Sequence, residues 1–262
     1  MDTQPQKSFI KKFWWIGALI ILIAVVVFVS VYLKRAGDNK EAGFSQKNSP
    51  SVDNNIIKSI GFNLDYYNAA TKKAGDMEFF QLPSKLIFMD YGYIIPAEET
   101  VEKTAKPEVH PSIILPLGTK VLSPIDGVVT AVPTLYSNDN SVQITPSGKM
   151  EGLIFELEHV KNPAVKTGDK VAAGQIVAEV TDFSSHNHPG YGYFDLAVFR
   201  TNQNGEPEHL CPFLYLNSSI KEETYKKIRA LYASWEEFMG DKNIYQDSYT
   251  VPGCITTEPI KG

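Results

Sequence analysis

The chain has 262 residues, 43% of them hydrophobic, and a formal net charge of -5. That length suits one domain of ordinary size with an extension. Lys7, Lys11, Lys12, Lys34, Arg35 and a single acid, Asp2, fall in the first 35 positions, which leaves 20 basic against 29 acidic residues beyond them, a net of -9. Such a surface excludes a nucleic-acid partner, because phosphate binding needs clustered Lys and Arg.

Residues 1–12 read as a short cytoplasmic N-terminus. Residues 13–33, FWWIGALIILIAVVVFVSVYL, carry no charge. As a helix they reach about 30 Å, the thickness of a bilayer hydrocarbon core. Lys11 and Lys12 flank one end and Lys34 and Arg35 the other, with Trp14, Trp15 and Tyr32 near the two interfaces. The reading is a transmembrane signal anchor: the lipid bilayer is a partner, and the protein is a single-pass protein of the cell membrane with its C-terminal domain extracytoplasmic. A cleaved signal peptide is the competing reading, but the run is long for one and no small-x-small cleavage site accompanies it.

Residues 34–55 are rich in Lys, Asp, Asn, Gly and Ser and read as a flexible linker. Residues 56–105 hold short apolar and aromatic runs (IGFNLDYY, MEFFQLPSKLIFMDYGYIIP) and read as an N-terminal β extension. Residues 106–216 hold closely spaced strand candidates: TKVLS, GVVTAVPTLY, SVQITPS, LIFELEHV, DKVAAGQIVAEV and GYFDLAVFR. Turn residues between them predict a mainly β, antiparallel sheet or sandwich. Residues 217–262 read as a C-terminal amphipathic helix and tail. Ile220, Tyr225, Ile228, Leu231, Tyr232, Trp235 and Phe238 recur at three- and four-residue spacing, Ser219 and Glu222 form a candidate capping box, and Gly240 is a candidate stop. The two cysteines, Cys211 and Cys254, are expected to pair in an oxidising compartment, with two separate thiols as the alternative.

Two segments share a form: LGTKVLSPIDGVVTAV and KTGDKVAAGQIVAEV. The first resembles the stretch after the first metal-ligand motif of lysostaphin/LytM-type zinc endopeptidases, and the second the later Gly-x-x-Val-x-x-Gly-Gln hairpin of that family. YFDLAVF resembles the family's last core strand, and CPFLYL its closing Asn-Pro-x-x-Tyr-Leu segment. The resemblance implies a fold of the duplicated-hybrid-motif kind. The same hairpins also resemble biotinyl/lipoyl carriers and the sugar-phosphotransferase glucose domain; the first lacks its modifiable Lys here, and the second would be cytoplasmic.

The family takes zinc ligands from His-x-x-x-Asp and from the second His of a later His-x-His, with further His residues beside the attacking water. Carried onto this chain, His110 falls at the first ligand, Ile114 at the Asp, His159 at the middle His, and Tyr191 and Tyr193 at the His-x-His. An aliphatic side chain and two phenols are not zinc ligands. The resemblance therefore implies a scaffold without a cofactor, with His110, His159, Tyr191 and Tyr193 lining a groove that binds cell-wall peptide, glycan or an envelope protein. Two other readings stay open. In one, zinc is held by a rearranged set of His110 with His186 or His188, His159 is catalytic, Asp126 or Glu158 replaces the missing Asp, and the domain is an active peptidoglycan endopeptidase. In the other, the domain is a structural part of an envelope assembly. His209 carries no signal and reads as a surface residue.

Overall fold

The computed structural model describes residues 55–100, 103–183, 188–246 and 249–261. They lie in one compact unit, 53–262. The expected anchor at 13–33 is outside the described residues, and among those no helix is long and apolar enough to cross a membrane.

The first strands among the described residues form a two-stranded hairpin, β1 (Lys73–Ala74) and β2 (Met77–Glu78), followed by β3 (Phe88–Met89). A second small pair follows, β4 (Ile94–Ile95) with β5 (Lys106–Pro107). The main sheet then takes β6 (Ser112–Pro116), β7 (Lys120–Leu122), β8 (Gly127–Ala131), β9 (Asn140–Thr145), β10 (Ile154–Lys161), β11 (Lys170–Val171), β12 (Ile176–Val180), β13 (Tyr191–Thr201) and β14 (Pro207–Leu210). A helix, α1 (Lys221–Met239), and a closing strand, β15 (Ile260–Lys261), complete it. The sheet runs β11-β8-β9-β10-β13-β14-β15. β12 bridges β10 and β7, and β6 joins β13 to β3. Every pairing between these strands is antiparallel, as the alternation of apolar residues and the short turns predict.

The elements follow their local chemistry. GVVTAVPTLY stops being strand at Ala131 because Pro133 has no amide hydrogen for the ladder. In DKVAAGQIVAEV the strand is split by a turn at Gly174, whose φ of +80° suits a residue without a Cβ. The helix ends where the sequence indicates, with Gly240 left-handed at φ 70° and its N–H on the carbonyls of the last turn. Its start differs from expectation. The capping position is Ile220, no side chain caps it, and the Ser219 hydroxyl donates to Asn217 Oδ1 at 2.7 Å instead. The local Asn217 turn outcompetes the capping box for that serine.

The apolar stripe of α1 packs as predicted. Ile228, Leu231, Tyr232 and Trp235 are buried, with Tyr225 and Phe238 partly so. Trp235 meets Phe79 edge-on at 5.0 Å, and its indole N–H donates to the Lys85 carbonyl at 2.8 Å. The helix thus closes the core formed by the N-terminal extension. Cys211 and Cys254 form a disulfide, which fastens the tail to the end of β14.

A buried carboxyl sits in this contact. Tyr232 Oη donates to Asp90 Oδ1, and Tyr232 stacks on Tyr245 at 3.9 Å. Burial raises the Asp90 pKa to about 6, against the smaller opposing effect of the Tyr232 hydrogen bond. Between pH of about 4 and 6 the folded chain then holds more protons than the unfolded one, so stability falls as pH rises through that window and levels off above it. Asp90→Asn keeps the hydrogen-bond acceptor and removes the charge. Denaturant melts should show the variant more stable at pH 7 by on the order of 3 kcal/mol. The difference from wild type should vanish at a pH of about 4; a difference that does not change with pH would rule out this role for Asp90.

Candidate functional site

The middle of β10 carries Glu156, Leu157, Glu158 and His159. On a regular strand Glu158 and His159 would point to opposite faces. Here the register with β9 slips by one residue between Leu157 and Val160, and His159 adopts a φ of +58°. This bulge turns His159 to the same side as Glu158. On the neighbouring strand Asp195 lies opposite Glu158 in one direction and opposite Ser112 in the other. His110 enters from the segment just before β6.

Four side chains therefore converge. His110 Nδ1 lies 3.9 Å from Glu158 Oε2 and 3.9 Å from Asp195 Oδ2. His159 Nε2 lies 3.6 Å from Asp195 Oδ2, and its Nδ1–H donates to Asp139 Oδ2 at 2.9 Å. His110, His159, Asp139 and Asp195 are all buried. On the far side of His110, Nε2 lies 3.0 Å from His209 Nδ1. Phe183 stacks flat on the His159 ring at 3.5 Å. Phe183 is held there because its carbonyl accepts the Tyr193 N–H and because Gly192 leaves room for the loop before it. A Cβ at Gly192 would lie 1.9 Å from the Thr181 carbonyl oxygen.

The charges in the cluster are interlocked. Burial works against a charged His110, but Asp195, Glu158 and Glu108 outweigh it and lift its pKa to about 9. Burial likewise disfavours an ionised Asp195, yet His110, His159 and Ser112 hold it below the usual carboxylate range. Burial raises Glu158 and Glu108 above that range. His209 is pushed down to about 4 by burial and then by the charge of His110, so it is a neutral ring with a lone pair to accept.

The donor set can be tested against the zinc that the resemblance brings into question. A tetrahedral zinc with ligand bonds of 2.0–2.2 Å needs donor atoms roughly 3.3 Å apart. His110, Glu158 and Asp195 each offer one donor atom, all within 4.8 Å of one another. To close on an ion the donors would have to draw together by up to about 1.5 Å. Asp195 Oδ1 is buried and has no hydrogen-bond partner, a state that costs free energy unless something else occupies it. One imidazole and two carboxylates fit a divalent transition metal.

Of the residues singled out in the sequence, His110 and His159 come together, joined by Glu158, while Asp126 is exposed and paired with Lys58 at 2.6 Å. Ile114 lies opposite Tyr193 across the β6–β13 pair. Tyr191 stacks on Phe80 at 4.0 Å and donates to Glu78 at 3.1 Å. Tyr193 meets the buried His188 edge-on at 5.2 Å. His186 lies outside the described residues. Sequence reasoning missed Asp195, Asp139 and His209. For Asp195 the signal was present, since 191, 193 and 195 share one face of β13 and 195 is the metal-capable member. His209, expected at the surface, is half-buried against His110.

Residues 112–198 match the family described as Peptidase family M23. No curated protein matches. Among solved structures, the chain is similar to lysostaphin in solution (16% identity over 44% of this chain and 43% of that one, TM-score 0.34). It is also similar to a mutant catalytic domain of the prophage-encoded M23 protein EnpA from Enterococcus faecalis (24% identity, 51% and 92% covered, TM-score 0.34). A third similarity is to LytU (19% identity, 48% and 79% covered, TM-score 0.35). The chain spans less than half the length of the lysostaphin chain it matches.

Proposed function

Because this chain resembles the lysostaphin/LytM-type zinc peptidases through its M23 segment, residues 112–198, we propose that it is a membrane-anchored, extracytoplasmic domain that binds cell-wall peptide or glycan in a metal-holding groove. The observation that carries this reading is the convergence of His110, Glu158 and Asp195, with Asp195 Oδ1 buried and unpartnered. Two features support the location: the uncharged run 13–33 with its basic flanks, and the Cys211–Cys254 disulfide, which belongs to an oxidising compartment.

His110 Nδ1 and one oxygen each of Glu158 and Asp195 would hold the ion. When bound, such an ion polarises a peptide carbonyl or a water. Asp139 fixes the His159 ring by accepting its Nδ1–H, which leaves Nε2 directed at the cluster. Phe183 covers one face of that ring. Binding without cleavage is the reading that Ile114 and Tyr193 favour, because they stand where the family has two of its metal ligands and neither holds zinc. The His159–Asp139 pair favours the second reading, hydrolysis, because an imidazole oriented by a carboxylate beside a metal is the arrangement of a general base.

The test uses the full chain in detergent micelles with isolated peptidoglycan sacculi and zinc. Co-sedimentation without release of soluble fragments is the expected result. Zinc-dependent release that His159→Ala abolishes would replace binding by hydrolysis. A chain that neither sediments nor releases fragments would end both readings in favour of a structural role.

A further inference from the structure

We infer that His209, contributed by a strand beyond the M23 segment, is the positioning residue that presents His110 to the metal. The inference rests on the metal-binding reading above and concerns how this chain completes that centre.

The two ring nitrogens of His110 face different groups. Nδ1 faces the two carboxylates at 3.9 Å each, and Nε2 faces His209 Nδ1 at 3.0 Å. A histidine that binds a metal through Nδ1 must carry its proton on Nε2, and that proton needs an acceptor. At 3.0 Å the His209 Nδ1 lone pair is that acceptor, and His209 then keeps its own proton on Nε2. Without it, the ring of His110 is free to turn or to adopt the other tautomer, in which Nδ1 is blocked by hydrogen.

His209 is itself fixed by three independent restraints. It pairs with Phe199 on β13 and with Ile260 on β15. Its carbonyl accepts the Tyr91 hydroxyl at 2.9 Å. Cys211, two residues on, is tied by the disulfide to Cys254 in the tail. The C-terminal arm thus reaches the centre through one imidazole, and the part of the chain that matches the family does not contain the whole site.

The experiment measures zinc affinity of the full chain in detergent by competition with a chromophoric chelator, alongside the d–d spectrum of the cobalt(II) form. His209→Ala should weaken zinc binding by about 10–100-fold and shift the cobalt bands. His209→Gln, whose amide oxygen can accept the same proton, should recover most of the affinity. Wild-type affinity and an unshifted cobalt spectrum in His209→Ala would overturn the inference and leave the metal reading standing. A wild-type chain that binds neither zinc nor cobalt would remove the metal reading and this inference with it.

Discussion

Replacing Asp195 by Asn is expected to weaken zinc binding at least ~100-fold, because it removes one of two anionic ligands while preserving shape. The same change should lower stability in the absence of metal. Asp195 is 7% exposed and lies between two imidazoles, with His159 Nε2 at 3.6 Å and His110 Nδ1 at 3.9 Å. Removing one partner from a buried charge pair costs about 3–5 kcal/mol, since the remaining charge stays out of water without compensation. The folded-state pKa of Asp195 is lowered by its histidine neighbours. Its contribution is therefore present above the unfolded value of about 4 and is lost as pH falls through the folded value. Denaturation and zinc competition at pH 7 check both effects. A variant with unchanged zinc affinity and unchanged stability would mean that Asp195 neither holds metal nor anchors the cluster.

The second large effect concerns the tail. Cys211 and Cys254 are separated by 43 residues, and that stretch contains α1. In the chain-entropy account, cross-linking a loop of this length removes about 4 kcal/mol of unfolded-state freedom. Cys211→Ser with Cys254→Ser should therefore destabilise the fold by about 2–5 kcal/mol. Damage should centre on β14, β15 and the Tyr91 contacts, because Tyr91 N–H donates to the Gly253 carbonyl and Tyr91 Oη to those of His209 and Glu258. Equilibrium denaturation gives the size of the loss, and hydrogen exchange at Leu210 and Ile260 locates it. Equal stability of the double variant and the wild type would show that packing alone holds the tail.

The sheet and the helix were legible in the chain because their signals are local. Alternation along LIFELEHV and GYFDLAVFR marks strands, and the aromatic stripe from Tyr225 to Phe238 marks α1 with its stop at Gly240. The cysteine pairing was legible from number, since the chain has two cysteines and both lie late in it. The family pattern singled out His110 and His159, and folding brings both beside Asp195. The capping box was not legible, because whether Ser219 bonds to the helix or to Asn217 depends on a turn geometry that residue types alone leave open.

The donor cluster depends on longer-range events. Glu158 and His159 are adjacent in the chain, and only the bulge on β10, a consequence of how that strand meets β9, brings both to one face. On β13 the pattern allows two placements two residues apart, Tyr191-x-Tyr193 or Tyr193-x-Asp195. A strand repeats its face every second residue, so alternation cannot choose between them. The pairing with β6 and β10 chooses, setting Asp195 against Ser112 and Glu158. His209 is 99 residues from His110 and reaches it only because β14 lies beside β13 and the disulfide-tied tail lies beside β14. Strands, helix and cysteine pairing can thus be read along the chain, since each follows from the chemistry of near neighbours or a simple count. Which donors meet is settled only on folding, because strand register and bulges are fixed by pairing between segments far apart in the chain.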